Sequence, residues 1–479
     1  EMVVRWARSF DTFEGGTNRA PKFPLPNNWL FLLNYAKYFD EEKIRKQVVL
    51  TLDKMAYGGI YDQIGGGFTR YSVDVLWKVP HFEKMLYDNA QLIGLYAKSY
   101  AEFRQEHYKE LVFQSFAFLE RELLAENGAY HSALDADSEG EEGKFYCWSK
   151  EEIEEVCGKD AELAKAYWNI NQLGYWEDEK YIPLKKVDDA FFAKQQNLEL
   201  EHWLLKKKEL TDLLLSARST KVRPGLDNKI LVSWNAMMAK GLLDAYRVFG
   251  DDAFLLRARK ILHWIQNTQW KDDILYRVQT NGQTKIAGFL EDYAHCIEAF
   301  SLAYQCTSEL DFIYFAKTLT EKVVKEFQHP QSKLCYFTAQ DTQLVSRNME
   351  LNDNVIPASN SVMAHAFLTM GQYFQQAEWL ASAQQMLANL YDGMESYGSG
   401  YSNWGLLLLR FLEPEEQWHV LNKSSSLEVF KATTTKDCLL SFHDELPISK
   451  GYTPEKISVC VHGACFAPVD KIEEALACS

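Results

Sequence analysis

Apolar residues recur at helical spacing along most of the chain, and connections of alternating length join the helices that this pattern predicts. Residues 249–251 form a tight joint, whereas residues 269–287 make a long excursion. Such alternation is typical of a ring of helical hairpins whose long loops share one face, where binding residues gather on a rigid scaffold. The predicted helices lie near residues 27–40, 42–57, 83–104, 107–125, 195–217, 232–248, 252–268, 288–306, 309–327, 358–374 and 377–391.

The helical pattern changes after Pro414. Residues 417–422, 427–433, 437–442 and 458–461 have the character of β-strands. We therefore predict one large helical domain over residues 1–413 and a small α/β appendage over residues 414–479.

Composition narrows the classes of partner. The net charge of −16 disfavours nucleic acid, because phosphate binding needs a basic surface. No apolar run approaches the ~18 residues of a membrane span. The 25 Tyr and 13 Trp suit a cleft for amphipathic ligands such as sugars, or the packing of a large helical protein. The nine Cys have no disulfide-framework spacing, which predicts reduced thiols, Cys460 and Cys465 included, and a cytoplasmic protein.

The segment from Gly65 to Asp88 carries the densest group of polar and aromatic residues. It begins with three glycines, and Pro80 is suited to begin a helix. That helix would place His81 and Asp88 two turns apart on one face, as general acid–base work requires. A capped helix terminus is the structural alternative. Candidate substrate-binding residues in this segment are Arg70, Tyr71, Asp74, Trp77 and Glu83.

Two further segments combine acidic and aromatic residues. Asp135 and Asp137 begin a run that resembles a calcium loop, but Tyr146 stands where an EF-hand needs Glu. The run is then either a carboxylate site or a solvated turn. Asp227, Trp234 and Asn235 could stack on and hydrogen-bond a sugar ring, or cap a helix. We take Asp137 as a candidate catalytic residue. The candidate substrate-binding residues are Asp135, Asp227, Trp234 and Asn235.

Two helix starts supply the remaining candidates. Glu291 and His295 share a helix face, and Asp292 could orient the imidazole. A third zinc ligand is not evident, so we predict a pocket-facing acid rather than a metal site. Asn360 follows Ser359, a good N-cap, and either faces the loops or belongs to a structural cap. Glu291 and His295 are candidate catalytic residues, whereas Asp292 and Asn360 are candidate substrate-binding residues.

The chain resembles the YyaL-like, spermatogenesis-associated protein 20 family in motifs spread along its whole length. They are Ala20–Pro24, Val79–Leu92, Asp135–Phe145, Asp227–Lys229 with Trp234 and Asn235, Leu290–Ala294, and Cys460–Pro468. The resemblance implies an all-α fold, namely an (α/α)6 toroid of the six-hairpin glycosidase and N-acylglucosamine 2-epimerase type, with short β insertions and the small C-terminal α/β element. It also implies an N-terminal thioredoxin-like domain that this chain lacks.

On this resemblance we expect a carbohydrate-active enzyme, either a sugar epimerase or isomerase or a glycoside hydrolase. His81, Asp88, Asp137, Glu291 and His295 are its predicted catalytic residues, with His81 and His295 as the histidine pair of an epimerase. Trp77 and Trp234 would stack on the sugar, and no cofactor, membrane or nucleic acid is expected. The alternative is a non-catalytic scaffold that binds a glycan or a protein for the thioredoxin-like domain.

Overall fold

A computed structural model describes residues 1–340, 347–421, 426–433, 436 and 438–478. Helices dominate these ranges, and none of them is long and apolar enough to cross a membrane. In chain order the α-helices are α1 (Met2–Trp6), α2 (Pro26–Phe39), α3 (Glu42–Tyr57), α4 (Leu86–Phe103), α5 (Glu106–Glu122), α6 (Lys150–Cys157), α7 (Ala161–Tyr167), α8 (Asp189–Gln195), α9 (Leu200–Arg218), α10 (Val232–Phe249), α11 (Asp252–Trp264), α12 (Leu290–Thr307), α13 (Leu310–Glu326), α14 (Ser359–Phe374), α15 (Ala377–Ala388), α16 (Tyr391–Ser396), α17 (Ser402–Leu412), α18 (Ser426–Ala432) and α19 (Ile472–Leu476).

Six of these helices form an inner ring. Around the ring, α2 packs against α4, α4 against α10, α10 against α12, α12 against α14, α14 against α17, and α17 closes against α2. Helices α3, α5, α11, α13 and α15 each pack outside the inner helix that precedes them, and α1 packs on α16 beside α17. The toroid predicted from the sequence is confirmed.

Inner and outer helices differ in burial. Helix α12 is inner and buries nearly every residue from Leu290 to Tyr304, whereas the outer α13 keeps a solvent-exposed stripe. A helix that is apolar on most sides is stable only when protein surrounds it. Where α4 and α10 touch, Gly94 and Gly241 allow the backbones to approach closely, since a Cβ on Gly241 would lie 2.3 Å from the carbonyl oxygen of Ala90.

Short strands occupy the long connections. They are β1 (Tyr71–Ser72), β2 (Pro80–His81), β3 (Lys84–Met85), β4 (Ala133–Leu134), β5 (Asp137–Ser138), β6 (Glu141–Glu142), β7 (Leu226–Asp227), β8 (Ile230–Leu231), β9 (Trp270–Lys271), β10 (Ile274–Thr280) and β11 (Gln283–Ala287). Sheets β3–β4–β7 and β8–β10–β11 link connections from different hairpins, and β3 and β8 lead directly into α4 and α10. The long loops therefore meet at the N-terminal ends of the inner helices.

Helices α6 to α9 form an insertion with its own apolar cluster, which includes Trp148, Trp168 and Trp203. The helix predicted over residues 195–217 is α9 of this insertion. Its Lys207 donates to Glu110 of the outer helix α5 at 2.7 Å, and Arg218 is paired with Asp62 at 2.9 Å. The insertion therefore lies on the outside of the ring.

The described part of the C-terminal segment contains four strands, β12 (Glu416–Val420), β13 (Cys438–Ser441), β14 (Ile457–Val461) and β15 (Ala464–Cys465), in the order β13–β12–β14–β15. Residues 427–433, predicted as a strand, fall instead mainly in helix α18. Residue 422 of the predicted strand 417–422 and residue 437 of the predicted strand 437–442 lie outside the described residues. The sheet packs on the ring, and Tyr373 of α14 donates to the carbonyl of Leu440 at 2.8 Å. The domain boundary at residue 414 stays a prediction.

One cysteine prediction is wrong. Cys460 and Cys465 were expected as reduced thiols, but they form a disulfide. They face each other as directly paired residues of the β14–β15 hairpin, with Cα atoms 3.9 Å apart. A sequence separation of five does not reveal this pairing, because the register of the hairpin places the two residues opposite each other.

Candidate functional site

A cavity of about 740 Å³ lies inside the inner ring. All six inner helices contribute to its wall, and residues of the C-terminal sheet line it as well. Its volume falls in the usual range of small-molecule sites, roughly 300–1,000 Å³. Of the sixteen residues proposed from the sequence, His295 alone lines it.

His295 has a buried imidazole with no partner at hydrogen-bond distance among the described residues. It lies on α12 and is 3% exposed. Its Nδ1 is 3.9 Å from Oε2 of Glu298, one turn further along the same helix. Buried polar atoms in proteins are nearly always hydrogen-bonded, so an unsatisfied one that faces a cavity marks a position for a ligand or water.

Glu298 provides a carboxylate beside this imidazole. Burial disfavours its charged form, but Lys240, His295 and His365 together lower the pKa of Glu298 to about 2. The carboxylate is therefore ionised at neutral pH and lies near histidines of two neighbouring helices, α12 and α14. Glu298 was not proposed from the sequence, although its spacing of three residues from His295 would have indicated a shared face.

His365 is another histidine of the cavity wall, and its ring is held by the protein. Its Nε2 lies 2.9 Å from the carbonyl oxygen of Asn403, and its Nδ1 lies 3.1 Å from Nη1 of Arg410. Burial and the neighbouring Arg410 lower the pKa of His365 to about 4. This pattern fits a neutral ring that donates from Nε2 and accepts at Nδ1. Sequence reasoning missed His365, because a polar residue within a mostly apolar helix does not by itself reveal whether it faces a cavity.

Two lysines meet on one carboxylate deeper in the ring. Lys98 and Lys240 lie 3.1 Å and 3.3 Å from the same oxygen, Oδ2 of Asp244. Lys240 also lies 3.9 Å from Oε1 of Glu298. All four side chains line the cavity. Among the described residues, no group of three or more His, Cys, Asp or Glu side chains could hold a metal ion.

The mouth of the cavity is crossed by the loop that precedes α14. Gln91 of α4 donates to the carbonyl of Val355 at 2.9 Å. Helices α4 and α14 are opposite each other in the ring, so this hydrogen bond spans the mouth. Asp353 anchors the loop by accepting from the amides of Ala358 and Asn403 at 2.9 Å and 2.7 Å.

The predicted segment from Gly65 to Asp88 lies on the rim, with a different local structure from the predicted one. His81 is on strand β2 rather than on a helix, because α4 begins only at Leu86. The expectation that His81 and Asp88 share a helix face is therefore wrong. The ring of His81 stacks on Tyr71, and its Nδ1 lies 2.8 Å from Oε1 of Glu142.

Other residues of this segment form local contacts. Arg70 and Glu83 are paired at 3.2 Å. Asp74 accepts from the amides of Leu76 and Val79 at 2.7 Å and 2.8 Å, which fixes the β1–β2 loop. Trp77 is fully buried, and its indole donates to the carbonyl of Glu14 at 2.9 Å.

Two acidic residues occupy equivalent positions, the third residue of α4 and of α12. Asp88 is 1% exposed with Oδ2 unsatisfied, and burial raises its pKa well above the usual range. Asp292 accepts from the amide of Ser233 at 3.1 Å and pairs with Arg277, yet burial raises its pKa to about 6. Arg277 also pairs with Glu291. These groups brace the first turns of the inner helices.

The remaining carboxylates lie on the loops. The backbone N–H of Asp135 donates to the carbonyl of Gly225 at 2.8 Å. The exposed Asp137 on β5 lies opposite Glu142 on β6 in the register of this two-stranded sheet. Asp227 on β7 forms an ion pair with Lys229 at 2.8 Å. None of the three lines the cavity.

Asn235 and Asn360 share a structural arrangement with Asn89. In each, the side-chain oxygen accepts from the backbone N–H of one residue in the preceding loop, and the side-chain nitrogen donates to the carbonyl of that same residue. The side-chain nitrogen also donates to a second backbone carbonyl. The pairs are Asn89 with Phe68, Asn235 with Tyr130, and Asn360 with Cys335, at 2.7–3.0 Å. Trp234, beside Asn235, packs edge-on against Tyr87 at 4.8 Å.

The fold and its central cavity define the class, an (α/α)6 toroid with a pocket enclosed by the inner helices. The cellobiose 2-epimerase of Bacillus thermoamylovorans has a similar structure, with a TM-score of 0.55 and 10% identity over 84% of this chain and 95% of that chain. A hydrolase from Bacillus sp. GL1, an unsaturated glucuronyl hydrolase, gives a TM-score of 0.48 and 13% identity over 84% of this chain and 89% of that chain. No protein-family model matches the chain.

Sequence comparison finds relatives that match most of the chain. Human spermatogenesis-associated protein 20 is 28% identical over 412 residues, which cover 78% of this chain and 52% of that protein. An uncharacterised protein of Caenorhabditis elegans is 28% identical over 417 residues, 79% of this chain and 56% of that protein. The chain is thus similar in sequence to spermatogenesis-associated protein 20, and it spans about half the length of the curated relatives it matches.

Proposed function

We propose that the chain is a carbohydrate-active enzyme of the sugar isomerase or epimerase type, with its substrate in the central cavity and His295 as the proton-transferring residue. The observation that carries this proposal is the buried imidazole of His295, unsatisfied at both nitrogens and facing the cavity. An imidazole is the side chain best suited to accept and donate protons near neutral pH.

The surrounding charges support proton transfer at one histidine. The ionised Glu298 lies beside His295 and would stabilise an imidazolium formed when the ring takes a proton from the substrate. His365 is neutral and fixed through both nitrogens, so its part would be to shape and polarise the site. The likeness to a cellobiose 2-epimerase agrees with this reaction class by analogy of fold.

Glycoside hydrolysis is less well supported by the same wall. It needs one carboxylic acid that holds a proton and a second carboxylate across the cleft. Glu298 and Asp244, the two carboxylates next to Lys240, both have lowered pKa values because lysines adjoin them. Neither would keep a proton at neutral pH, so neither is suited to protonate a leaving group.

The test is solvent hydrogen exchange. The wild-type chain is incubated in D2O with a panel of aldoses and ketoses, and ¹H NMR follows deuterium incorporation at the carbon next to the carbonyl. We expect His295→Asn to slow this exchange by at least about 100-fold, the usual contribution of an acid–base residue. His202→Asn, on the exposed face of α9, is the matched control and should be unaffected.

Two results would contradict the proposal. Reducing sugar released from oligosaccharides without exchange would assign a hydrolase. Saturable binding of a glycan or a thioredoxin-like protein, with no turnover of any sugar, would assign the non-catalytic scaffold.

A further inference from the structure

We propose that the Cys460–Cys465 disulfide is a thiol-exchange site, and that its reduction by a dithiol frees the hairpin that borders one end of the central cavity. The oxidation state of the pair would then control access to the cavity. This inference goes beyond the proposed function, because it requires no particular reaction inside the ring.

The cavity extends along the ring to the C-terminal ends of the inner helices, opposite the mouth. Tyr38, Glu102 and Val248, in the last turns of α2, α4 and α10, line it there. The C-terminal sheet begins at the same end, because only residues 413–415 separate α17 from β12. Among the described residues, Tyr38 and His462 line the cavity and are also exposed to solvent. The cavity therefore opens beside the sheet, at what we call the far end.

The tip of the β14–β15 hairpin forms part of the wall at the far end. Val461 of β14 and His462 of the turn both line the cavity. The turn consists of His462 and Gly463, with φ angles of 49° and 78°, which is typical of a tight type I′ hairpin. Strand β14 pairs with β12 through Cys460 and Gln417, close to the end of α17. A movement of the turn therefore changes the wall of the cavity.

The disulfide is the main restraint on β15. This strand has two residues, lies at the edge of the described sheet and is exposed, as is Phe466 after it. Little apolar burial therefore holds this part of the hairpin. Phe466 donates its backbone N–H to the carbonyl of Val459 at 2.9 Å, and the chain is paired again where Val469 meets Ile457. Without the disulfide, the turn and β15 depend on hydrogen bonds that solvent can reach, and such segments open readily.

The two sulfur atoms differ in exposure and share one donor. Cys465 is exposed, whereas Cys460 is buried. The hydroxyl of Tyr452 lies 3.1 Å from Sγ of Cys460 and 3.3 Å from Sγ of Cys465, and it is the donor because a disulfide sulfur has no hydrogen. Stacking on His419, with ring centroids 3.8 Å apart, holds the ring of Tyr452 in place. The exposed sulfur is thus the one that a thiolate can attack, and the hydroxyl stabilises the charge that develops on the leaving sulfur of Cys460.

Exchange with a dithiol takes two steps. In the first, a thiolate of the dithiol bonds to Sγ of Cys465 as the Sγ–Sγ bond breaks, and the electron pair of that bond passes to Sγ of Cys460, which takes up a proton. In the second, the other thiolate of the dithiol attacks the reductant's own sulfur in the mixed disulfide, and Cys465 leaves and takes up a proton. Both cysteines are then reduced, the dithiol is oxidised to its disulfide, and its two thiol protons account for those gained.

Reduction of the folded protein is the first test. The full chain is treated with dithiothreitol without denaturant, and differential alkylation with mass spectrometry follows the thiols of Cys460 and Cys465. We expect both to become reactive while the far-UV circular dichroism of the helices is unchanged. Tyr452→Phe should slow the reduction about tenfold, because the leaving sulfur loses its hydrogen-bond donor. Tyr391→Phe, at a 66% exposed tyrosine, is the matched control and should have no effect.

Carbethoxylation of His295 by diethyl pyrocarbonate is the second test, since the reagent must enter the cavity to reach this buried imidazole. We expect the reaction to be at least about fivefold faster in the reduced protein, after removal of the reductant under nitrogen, and in Cys465→Ser, because the freed hairpin widens the far end. Reoxidation of the wild type should restore the slow rate, which excludes a fold defect. Cys478→Ser, at a free cysteine of the same C-terminal segment, and the exposed His202 are the controls.

Three results would overturn the proposal. Cysteines that react only after unfolding, or equal reduction rates in Tyr452→Phe and the wild type, would contradict a thiol-exchange site. An equal rate at His295 in the oxidised, reduced and Cys465→Ser proteins would contradict control of the cavity. So would unchanged hydrogen–deuterium exchange of a peptide covering residues 457–466 after reduction. None of these measurements involves turnover or a sugar, so failure of the proposed function would leave the inference standing, and the reverse.

Discussion

At the scale of single residues, three asparagines fix the loops that surround the cavity. Asn89, Asn235 and Asn360 each satisfy both the amide and the carbonyl of a buried loop residue. An unpaired backbone group in a protein interior is costly, so each asparagine replaces the strand that would otherwise pair with the loop. Their recurrence in three hairpins shows a repeated structural device that the separate sequence motifs did not reveal.

Asn235→Ala should destabilise the protein. It leaves the amide and carbonyl of Tyr130 without partners, and each such group costs about 1–3 kcal/mol. We expect the free energy of unfolding to fall by about 3 kcal/mol in urea denaturation. Asn267→Ala, at an exposed position, is the control. A loss below about 0.5 kcal/mol, the usual limit of a surface substitution, would contradict the structural role of Asn235.

Asp353 should make stability depend on pH. Burial raises its pKa to about 7, well above its value of 3.8 in the unfolded chain, although the amides of Ala358 and Asn403 oppose the shift. The folded state thus keeps a proton that the unfolded state releases. Its stability contribution is complete below pH 3.8 and is lost as the pH rises towards 7.

The measurement is the free energy of unfolding between pH 5 and pH 8. The wild type should lose about 2 kcal/mol from this group over that range. Asp353→Asn should show a flatter dependence, even if the loss of an acceptor for the amide of Asn403 lowers its stability throughout. Parallel profiles for the two proteins would show that Asp353 does not titrate in this range.

Of the candidate residues predicted from the sequence, one lines the cavity, and the others lie outside its wall. His295 was predicted because it follows Glu291 and Asp292 in the first turns of a helix, and such a group of polar residues is recognisable as a motif. Glu298, His365, Lys98 and Lys240 lie inside helices with mostly apolar sequences, and a single polar residue there does not reveal whether it faces a cavity or solvent. Only the arrangement of the ring shows that these positions share an interior.

At the scale of elements, helices were predictable where an amphipathic pattern continued over several turns. The inner and outer helices agree with the predicted stretches to within a few residues for most of the ring. The inner helix α17 (Ser402–Leu412) was not predicted. A second exception is local. Pro80 suggested a helix start, but residues 80 and 81 pair with residues 71 and 72 as a two-stranded ribbon. Tertiary pairing of this kind overrides the local preference of proline.

Gly241→Ala tests the close packing of α4 on α10. The added Cβ would lie 2.3 Å from the carbonyl oxygen of Ala90, so the two helices must separate. We expect a loss of about 2 kcal/mol from overpacking, even though alanine favours a helix by about 1 kcal/mol over glycine. Gly94→Ala is a matched comparison, because its Cβ meets the flexible carboxylate of Asp244 at 3.2 Å. Equal effects of the two changes in urea denaturation would contradict this account.

At the scale of the whole molecule, the closed ring determines where chemistry can occur. Its inner helices enclose polar residues from different parts of the chain, and its long loops converge on one mouth. The hydrogen bond between Gln91 and Val355 joins α4 to the loop that precedes α14, on the opposite side of that mouth. Access to the cavity from this end therefore depends on the loop at residues 353–357.

Gln91→Ala should loosen this loop. A net hydrogen bond contributes about 1 kcal/mol, so its loss should raise the opening of the loop about fivefold. Hydrogen–deuterium exchange with mass spectrometry of a peptide covering residues 350–358 measures this opening, and the remote β10–β11 hairpin gives an internal reference. If the loop controls entry, the same variant should accelerate the association of a cavity ligand, with little change in the affinity of that ligand for the protein. Unchanged exchange at residues 353–357 would show that Asp353 alone holds the loop over the mouth.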